Sequence, residues 1–380
     1  MKTLPSLSAA FLLAASIVNA QVPGIPGLAP APAASAGTTL GANTTSGASG
    51  IDLANRLKLS GYVDFMYANL QNENDAANND AAQFKSAVDL DFLLDFSPVT
   101  AEVHTRINDD SSNDLLEQAF IRYNFNRDVS LTFGRQLSLL GYEADEDPFL
   151  YQVSNAYLIT DGISGQSGEL QTGSKIRRTY NDGVRANFNN GRLGFSIGLH
   201  NKLFDTINEN NDNTKDGNIA VDLQAAFMIL PGLEGRLGYA HESVHNSTGG
   251  VRLGHYTANH SGQDEIERFN AWLGYNQGPL TLALEYDDWD IVGVDAWNVM
   301  LLGRYQVNPL FALTVRYSHE DLEKLSAGND VDVNRLTLYA AFALTDNLRL
   351  GLEYTHSGVE EAGGSDYDVD EFYAETVLSF

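Results

Sequence analysis

Apolar and polar side chains alternate along most of this chain, in runs of about ten residues. The first run, residues 57–70, places mostly apolar residues at odd positions and Lys58, Ser60 and Asp64 at even positions. The next run, residues 84–96, repeats the pattern. A period of two puts neighbouring side chains on opposite faces of a β-strand. Each run therefore predicts a strand with one apolar face.

The connections between the runs are short at one end and long at the other. Loops at 71–82, 204–217, 241–265 and 320–332 are long and mostly acidic or polar. Short turns fall at Ser97-Pro98, 126–128, 189–191, 230–232, 277–279, 308–309 and 345–347. Outer-membrane barrels show this asymmetry, with short periplasmic turns and long extracellular loops. The pattern predicts an all-β fold: a closed antiparallel transmembrane β-barrel of about sixteen strands over residues 51–380.

Aromatic residues on the apolar face support a membrane barrel over a soluble β-sandwich, because two aromatic belts form at the headgroup levels. The last strand ends on Phe380, also on the apolar face, and resembles the assembly signal of outer-membrane barrels. Unpaired backbone groups are costly in lipid, so strand 57–70 should pair with strand 371–380. The predicted belts contain Tyr67, Tyr239, Tyr286, Tyr317 and Tyr354 on one side, and Phe96, Phe125, Tyr275, Tyr305, Phe342 and Phe380 on the other.

Between Gly134 and Asp182 the alternation stops for about forty residues, far beyond an ordinary loop length. Apolar residues in this stretch argue against disorder, because they can pack against other parts of the fold. We interpret residues 137–180 as a long loop folded into the lumen that narrows a pore. Its acids would then face a basic wall, whereas a loop lying outside would leave them in solvent. The predicted constriction acids are Glu143, Asp145, Glu146 and Asp147.

The polar face of the strands carries the remaining candidate pore residues. A charge on the lipid face near the bilayer centre costs about 2–4 kcal/mol, so these side chains should point inward. Inward glycines such as Gly238 and Gly274 should leave room in the lumen. A solvated set of arginines that only stabilises the barrel is the alternative to a pore function. The basic set is Arg122, Arg185, Arg236, Arg268, Arg304, Arg316, Arg335 and Arg349, and the acidic set is Asp64, Asp89, Asp91, Asp95 and Glu102.

Composition narrows the compartment and the partners. The 380 residues include 50 acids, 23 bases and no cysteine, and the net charge of −27 argues against nucleic acid as a partner. Residues 1–20 have the pattern of a secretory signal peptide, with Lys2, an apolar core and a small-residue cleavage site. Residues 21–50 are rich in Pro, Ala, Gly, Ser and Thr, which predicts a flexible leader. Export followed by a barrel pattern indicates the bacterial outer membrane.

Two groups of motifs carry a family resemblance: residues 118–123 (QAFIRY), and residues 131–136 (LTFGRQ) followed by Gly141, Tyr142 and Glu143. Over about residues 57–205 the chain resembles the OmpL-like family of outer-membrane porins. The resemblance implies passive diffusion of small hydrophilic solutes and leaves a homotrimer open. Arg135 falls on the apolar face, so we expect a bulge or a rim position there.

We therefore interpret the chain as a porin that passes ions and small hydrophilic solutes. The expected partners are outer-membrane lipid, lipopolysaccharide and the barrel-insertion machinery. No cofactor or metal site is expected, because the eight histidines are scattered. We interpret the acidic stretches at 72–80, 287–295 and 366–370 as solvated loops, since they lack the calcium-loop spacing. One alternative is a phospholipase-like barrel enzyme, suggested by Asn259-His260-Ser261. Adjacent residues cannot easily form a catalytic triad. A closed structural or adhesive barrel is the other alternative.

Overall fold

In the computed structural model the chain is described over residues 51–54, 56–73, 81–108, 116–143, 150–160, 179–204, 219–245, 251–253, 256–258, 263–323, 330–362, 364 and 366–380. The predicted signal peptide and leader lie outside this part of the chain. No helix among the described residues has the length and apolarity needed to cross a membrane.

The described elements are β-strands that follow the alternating runs of the sequence. A short strand and a small hairpin accompany the larger set: β1 (Ile51–Ala54), β11 (Val251–Leu253) and β12 (Tyr256–Ala258). The larger set comprises β2 (Leu57–Asn72), β3 (Ala81–Phe96), β4 (Val99–Asn108), β5 (Leu116–Asn124), β6 (Val129–Leu137), β7 (Tyr180–Asn189), β8 (Leu193–His200), β9 (Ala220–Leu230), β10 (Leu233–His245), β13 (Gln263–Gln277), β14 (Leu280–Ile291), β15 (Val294–Asn308), β16 (Phe311–Glu323), β17 (Val331–Ala343), β18 (Leu348–Glu361) and β19 (Tyr367–Ser379).

Sixteen described strands, β2–β10 and β13–β19, form a closed antiparallel barrel, as predicted. Each strand pairs with the next along the chain, and β10 pairs with β13 across the β11–β12 hairpin. The barrel closes where β19 pairs with β2, with Val369 opposite Asn72 and Ser379 opposite Tyr62. The backbone groups of Gly61 and Phe380 exchange two hydrogen bonds of 3.1 and 3.0 Å at the end of this seam. Closure leaves neither terminal strand with an unpaired edge in lipid.

The two faces of the barrel follow the parity read from the sequence. On β2, Ser60, Tyr62 and Asp64 are buried, while Val63 and Phe65 are 39% and 49% exposed. The predicted belt residues lie on the outward face, and Tyr305 and Phe125 are 52% and 60% exposed. A bilayer removes such apolar surface from water, and the polar residues of each strand therefore face the barrel interior.

Several strands extend further than the sequence predicted, and β19 begins at Tyr367, inside the predicted acidic loop at 366–370. The predicted loop at 320–332 is shortened by β16, which continues to Glu323, and by β17, which begins at Val331. The predicted acidic loop at 287–295 is wrong, because β14 and β15 run to a two-residue turn at Val292 and Gly293 with φ values of 49° and 83°. Positive φ at both central residues is the geometry of a tight hairpin turn. Ladder hydrogen bonds continue beyond the lipid zone, where side chains need not be apolar.

Candidate functional site

The inner face of the barrel carries the charged residues that the sequence singled out. All eight predicted pore-lining arginines lie on the inward parity of their strands. Several are almost fully buried, with Arg268, Arg316 and Arg335 each 1% exposed. An arginine is rarely buried without partners, because desolvating a charge is costly. These side chains must therefore be paired.

Among the described residues, seven of the eight arginines form ion pairs with carboxylates in the barrel interior. The nitrogen-to-oxygen distances are 2.6 Å for Arg316–Glu143 and 2.5 Å for Arg335–Glu371. The basic ladder that the sequence suggested is thus largely neutralised. The other pairs are Arg122–Glu102 at 3.7 Å, Arg185–Asp222 at 3.2 Å, Arg236–Glu234 at 2.7 Å, Arg268–Asp287 at 2.8 Å and Arg349–Glu375 at 3.2 Å.

Sequence reasoning missed most of the acids in these pairs. It placed inward acids on the first three strands only, whereas later strands carry them as well. The alternation of the sequence could have identified them, since these acids fall on the same face of the strands as the arginines. The missed inward acids are Asp222, Glu234, Glu242, Glu285, Asp287, Glu320, Glu353, Glu371 and Glu375.

Strands β2–β4 hold the acids that the sequence did predict. Asp64, Asp89 and Asp91 are between 0% and 5% exposed on the inward face. His104 lies between two of these carboxylates, with Nδ1 2.7 Å from Asp91 and Nε2 3.2 Å from Glu102. We call the inward face of β2–β4 the acidic wall, although it also carries Lys85 and Arg106. Asp95 shares the inward parity but lies at the turn, where its carboxylate accepts the N–H of Ser97 at 2.9 Å.

The described residues 138–143 and 150–160, here called the inner segment, contact inward-facing side chains. The N–H of Leu139 donates to Asp222 at 3.3 Å, and the N–H of Tyr142 donates to Glu285 at 2.8 Å. Both carboxylates belong to inward positions of β9 and β14. This part of the segment therefore lies against the inner wall.

Residues 150–160 are held by two further carboxylates. Glu353 on β18 accepts the N–H groups of Val153 and Ser154 at 2.5 and 2.9 Å. Glu320 on β16 accepts the N–H groups of residues 158, 159 and 160 at 2.6, 2.9 and 2.9 Å, and also the Thr160 hydroxyl at 2.9 Å. An ionised carboxylate accepts several such bonds at once, which fixes an irregular backbone that has no strand partner.

Arg316 joins the two halves of the inner segment. Its guanidinium donates to Glu143 at 2.6 Å, to the carbonyl of Ser154 at 2.8 Å and to the carbonyl of Asn155 at 2.7 Å. It also donates to Thr337 on the neighbouring strand at 3.1 Å. Five fixed donors make arginine suited to such a hub. Of the four predicted constriction acids, Glu143 lies here, and Asp145, Glu146 and Asp147 lie outside the described residues.

Inward glycines make room for the inner segment. A Cβ at Gly238 would lie 2.1 Å from a methyl carbon of Leu140, and one at Gly274 would lie 3.0 Å from the ring of Tyr142. Leu140 and Tyr142 are 2% and 1% exposed. The space that the sequence assigned to the lumen is therefore filled, at these two positions, by packed side chains.

Arg135 occupies the rim position that the sequence analysis allowed. It lies on the outward parity near the end of β6, and its Nε donates to the carbonyls of Leu116 and Glu117, both at 3.1 Å. Gly134 before it has a φ of 125°, a conformation that suits glycine. The side chain therefore helps to anchor the strand ends at the rim.

The chain was compared with known protein families and structures. A family model described as Gram-negative porin matches residues 8–362. Comparison with curated proteins gave no significant match. The structure is similar to the outer membrane channel DcaP of Acinetobacter baumannii, with 12% identity, a TM-score of 0.61, and 87% of this chain and 100% of that chain covered.

Two other structures show the same likeness. An anion-selective porin from Comamonas acidovorans has 14% identity and a TM-score of 0.56, with 85% of this chain and 99% of that chain covered. The trimer form of OmpT, an outer membrane protein of Vibrio cholerae, has 13% identity and a TM-score of 0.58, with 86% and 100% covered. At such low identity these likenesses establish the fold alone.

Proposed function

This chain belongs to the Gram-negative porin family, and from that premise we propose that it passes ions and small hydrophilic solutes by passive diffusion. The bacterial outer membrane is the compartment that the family and the barrel support. A barrel of sixteen strands is wide enough to enclose a water-filled passage. The observation that carries the proposal is the charged inner face, since charges line a wet passage at far lower cost than they meet in lipid.

We propose further that the whole stretch 137–180 narrows this passage. The support comes from the inner segment, whose backbone is bonded to Asp222, Glu285, Glu320 and Glu353 on the inner wall. These contacts fall on β9, β14, β16 and β18, on one part of the circumference. We propose that the passage runs on the side of the acidic wall, because β2–β4 carry none of these four carboxylates. We also propose that the predicted basic and acidic sets on the inward face line the passage.

A modest preference for cations follows from the inner charges. The inward positions of the strands carry more acids than bases, and ion pairs within the described part of the chain involve seven of the eight predicted arginines. Fields decay over about 8 Å at physiological salt, so charges inside the passage outweigh distant loops. We expect the preference to weaken as the salt concentration rises.

Planar-bilayer recording on the refolded mature protein tests the proposal. Ion current in discrete steps, with a reversal potential on the cation side at low salt, is the expected result. Swelling of liposomes in neutral sugars would report the passage of uncharged hydrophilic solutes. Folded, inserted protein that carries no current would contradict the porin function and favour a closed structural barrel.

We propose that the protein is a channel and not an enzyme. The rival hypothesis, a phospholipase, rests on His260, which lies outside the described residues. Lipid hydrolysis by the purified protein that disappears on His260→Gln would favour the enzyme over the channel. Unchanged lipid in the presence of ion current is the outcome that we expect.

We assign assembly features to the chain on the same basis. Residues 1–20 would direct export and residues 21–50 would form a leader to the barrel domain at 51–380. Phe380 would be read by the insertion machinery, and lipid with lipopolysaccharide would surround the barrel. A homotrimer is suggested by the solved trimer form of OmpT from Vibrio cholerae. The OmpL-like assignment within the porins also remains a proposal.

A further inference from the structure

Three potential metal ligands meet on the outward face of the barrel, above the aromatic belt. His319 and Asp321 lie on β16, and Asp332 lies on β17. One ligand atom from each lies within 4.8 Å of the other two, and His319 Nε2 is 3.9 Å from Asp332 Oδ1. Tetrahedral zinc holds nitrogen and oxygen ligands roughly 3.3 Å apart, given bond lengths near 2.0–2.2 Å. Small side-chain rotations would bring these atoms to that spacing.

The imidazole of His319 is oriented for metal binding by a neighbour. Its Nδ1 lies 3.1 Å from Asn334 Oδ1, an oxygen that also accepts the Tyr317 hydroxyl at 2.7 Å. An amide oxygen only accepts, so the ring proton belongs on Nδ1 and the lone pair on Nε2. That nitrogen is the one facing Asp332. Metal-bound histidines commonly hold their second nitrogen in this way.

Asp321 is positioned by a second neighbour. The indole Nε1 of Trp297 donates to Asp321 Oδ2 at 3.0 Å, which leaves Oδ1 of that carboxylate for another partner. The Trp297 ring also lies 4.8 Å from the His319 ring, between centroids. Two of the three candidate ligands are therefore oriented by groups outside the cluster.

The carboxylates need a positive charge between them. Asp321 and Asp332 lie directly opposite each other in the antiparallel register of β16 and β17. Like charges at such positions destabilise a strand pair. A dication bound to both carboxylates would turn this repulsion into a cross-strand link.

We propose that His319, Asp321 and Asp332 bind a divalent transition metal of the zinc class, with a fourth position open to water. Imidazole nitrogen favours zinc, nickel or copper over magnesium and calcium, which prefer all-oxygen ligands. The sequence did not predict this site, because its ligands are shared between two strands and only the register unites them. The site is independent of solute diffusion.

Other histidines on the same rim provide the controls. His356 also faces outward, two residues after a belt tyrosine, and pairs with Asp370 at 2.9 Å. No group of three potential ligands that includes His356 occurs among the described residues. His241, Glu265 and Glu267 do form such a group, so every variant would carry His241→Gln as a common background.

Calorimetric titration of the folded protein with zinc chloride, in excess magnesium, tests the proposal. One zinc equivalent should bind, and His319→Gln should weaken the affinity by more than about tenfold. His356→Gln should match its parent. Asn334→Ala keeps all three ligands and should still lose about tenfold, because the ring is no longer oriented. Equal affinity in His319→Gln, Asn334→Ala and the parent, or displacement of the zinc by magnesium, would overturn the site.

Tryptophan fluorescence supplies a second measurement. Copper(II) bound at this site should quench the fluorescence of Trp297, whose ring lies against His319. Trp272 and Trp289 are buried on the inward face, so their fluorescence should change little. Trp297→Phe should abolish the saturable quenching, and His319→Gln should shift it to higher copper concentrations. Saturable quenching that survives Trp297→Phe would place the metal elsewhere. Heat-modifiable migration in each variant confirms that the barrel has folded.

Discussion

Two sides of the inner wall use their charges differently. On the acidic wall of β2–β4, Asp64, Asp89 and Asp91 are buried on the inward face, and His104 lies between Asp91 and Glu102. On β16 and β18, by contrast, Glu320 and Glu353 accept backbone N–H groups of the inner segment. Both regions carry inward carboxylates. What differs is the arrangement: Glu320 and Glu353 bind backbone N–H groups of the inner segment, whereas Asp91 and Glu102 share His104.

This difference separates two roles for a buried acid. A carboxylate that accepts two or three N–H groups holds a structure in place, and its charge is locally compensated. Acids clustered on a wall raise the negative potential of the space they face. We therefore assign positioning of the inner segment to the β16–β18 side and ion selectivity to the β2–β4 side. Each assignment can be tested separately.

The largest effect on single-channel conductance is expected from Glu320→Gln combined with Glu353→Gln. An amide oxygen keeps the size of the side chain, but the charge-assisted bonds, worth about 1.5–3 kcal/mol each, are lost. The loss of two such bonds raises the population of undocked segment by at least about 10²-fold. Single-channel conductance should rise and become noisier.

Glu323→Gln is the matched control for this double variant. Glu323 lies on the same strand but on the exposed outward face. It should leave conductance unchanged. Parent-like conductance and noise in the double variant would show that these carboxylates do not control the passage.

A smaller effect is expected from Asp64→Asn combined with Asp89→Asn on the acidic wall. Removing two inward negative charges should shift the reversal potential toward anions at low salt, with little change in conductance. Asp95→Asn, at the exposed turn, should shift it less, because bulk salt screens charges beyond about 8–10 Å. A double variant with the parent's reversal potential would assign selectivity to another part of the barrel.

The smallest effect is expected from changing Asp145, Glu146 and Asp147 together to Asn. Two inward arginines that contact this stretch or its partners are already paired, Arg316 with Glu143 and Arg185 with Asp222. Selectivity should still move toward anions if these acids border the passage. Recordings at 0.1 M and about 1 M salt show whether these acids lie inside the passage or outside it, because the screening lengths are near 10 and 3 Å. Curves that overlay the parent's at both salts would place these acids outside.

The alternation of apolar and polar residues was enough to predict the barrel. Alternation assigned Val63 and Phe65 to the lipid face and Asp64 to the interior, and the structure shows the same assignment. The need to pair every backbone group in lipid predicted the β2–β19 seam, which ends at Gly61 and Phe380. The first inference rests on the two-residue period of a strand and the second on the absence of water in the bilayer core. Neither requires knowledge of contacts between distant residues.

The contacts of the inner face, by contrast, became visible only in the folded chain. Glu320 lies about 160 residues from the backbone groups it binds, and Arg316 lies 173 residues from Glu143. Parity places such residues inside, but it carries no information about which irregular segment meets them. The same limit applies to His319, Asp321 and Asp332, which the strand register brings together. Periodicity fixes which face a side chain occupies, whereas its partners depend on how distant strands and loops pack.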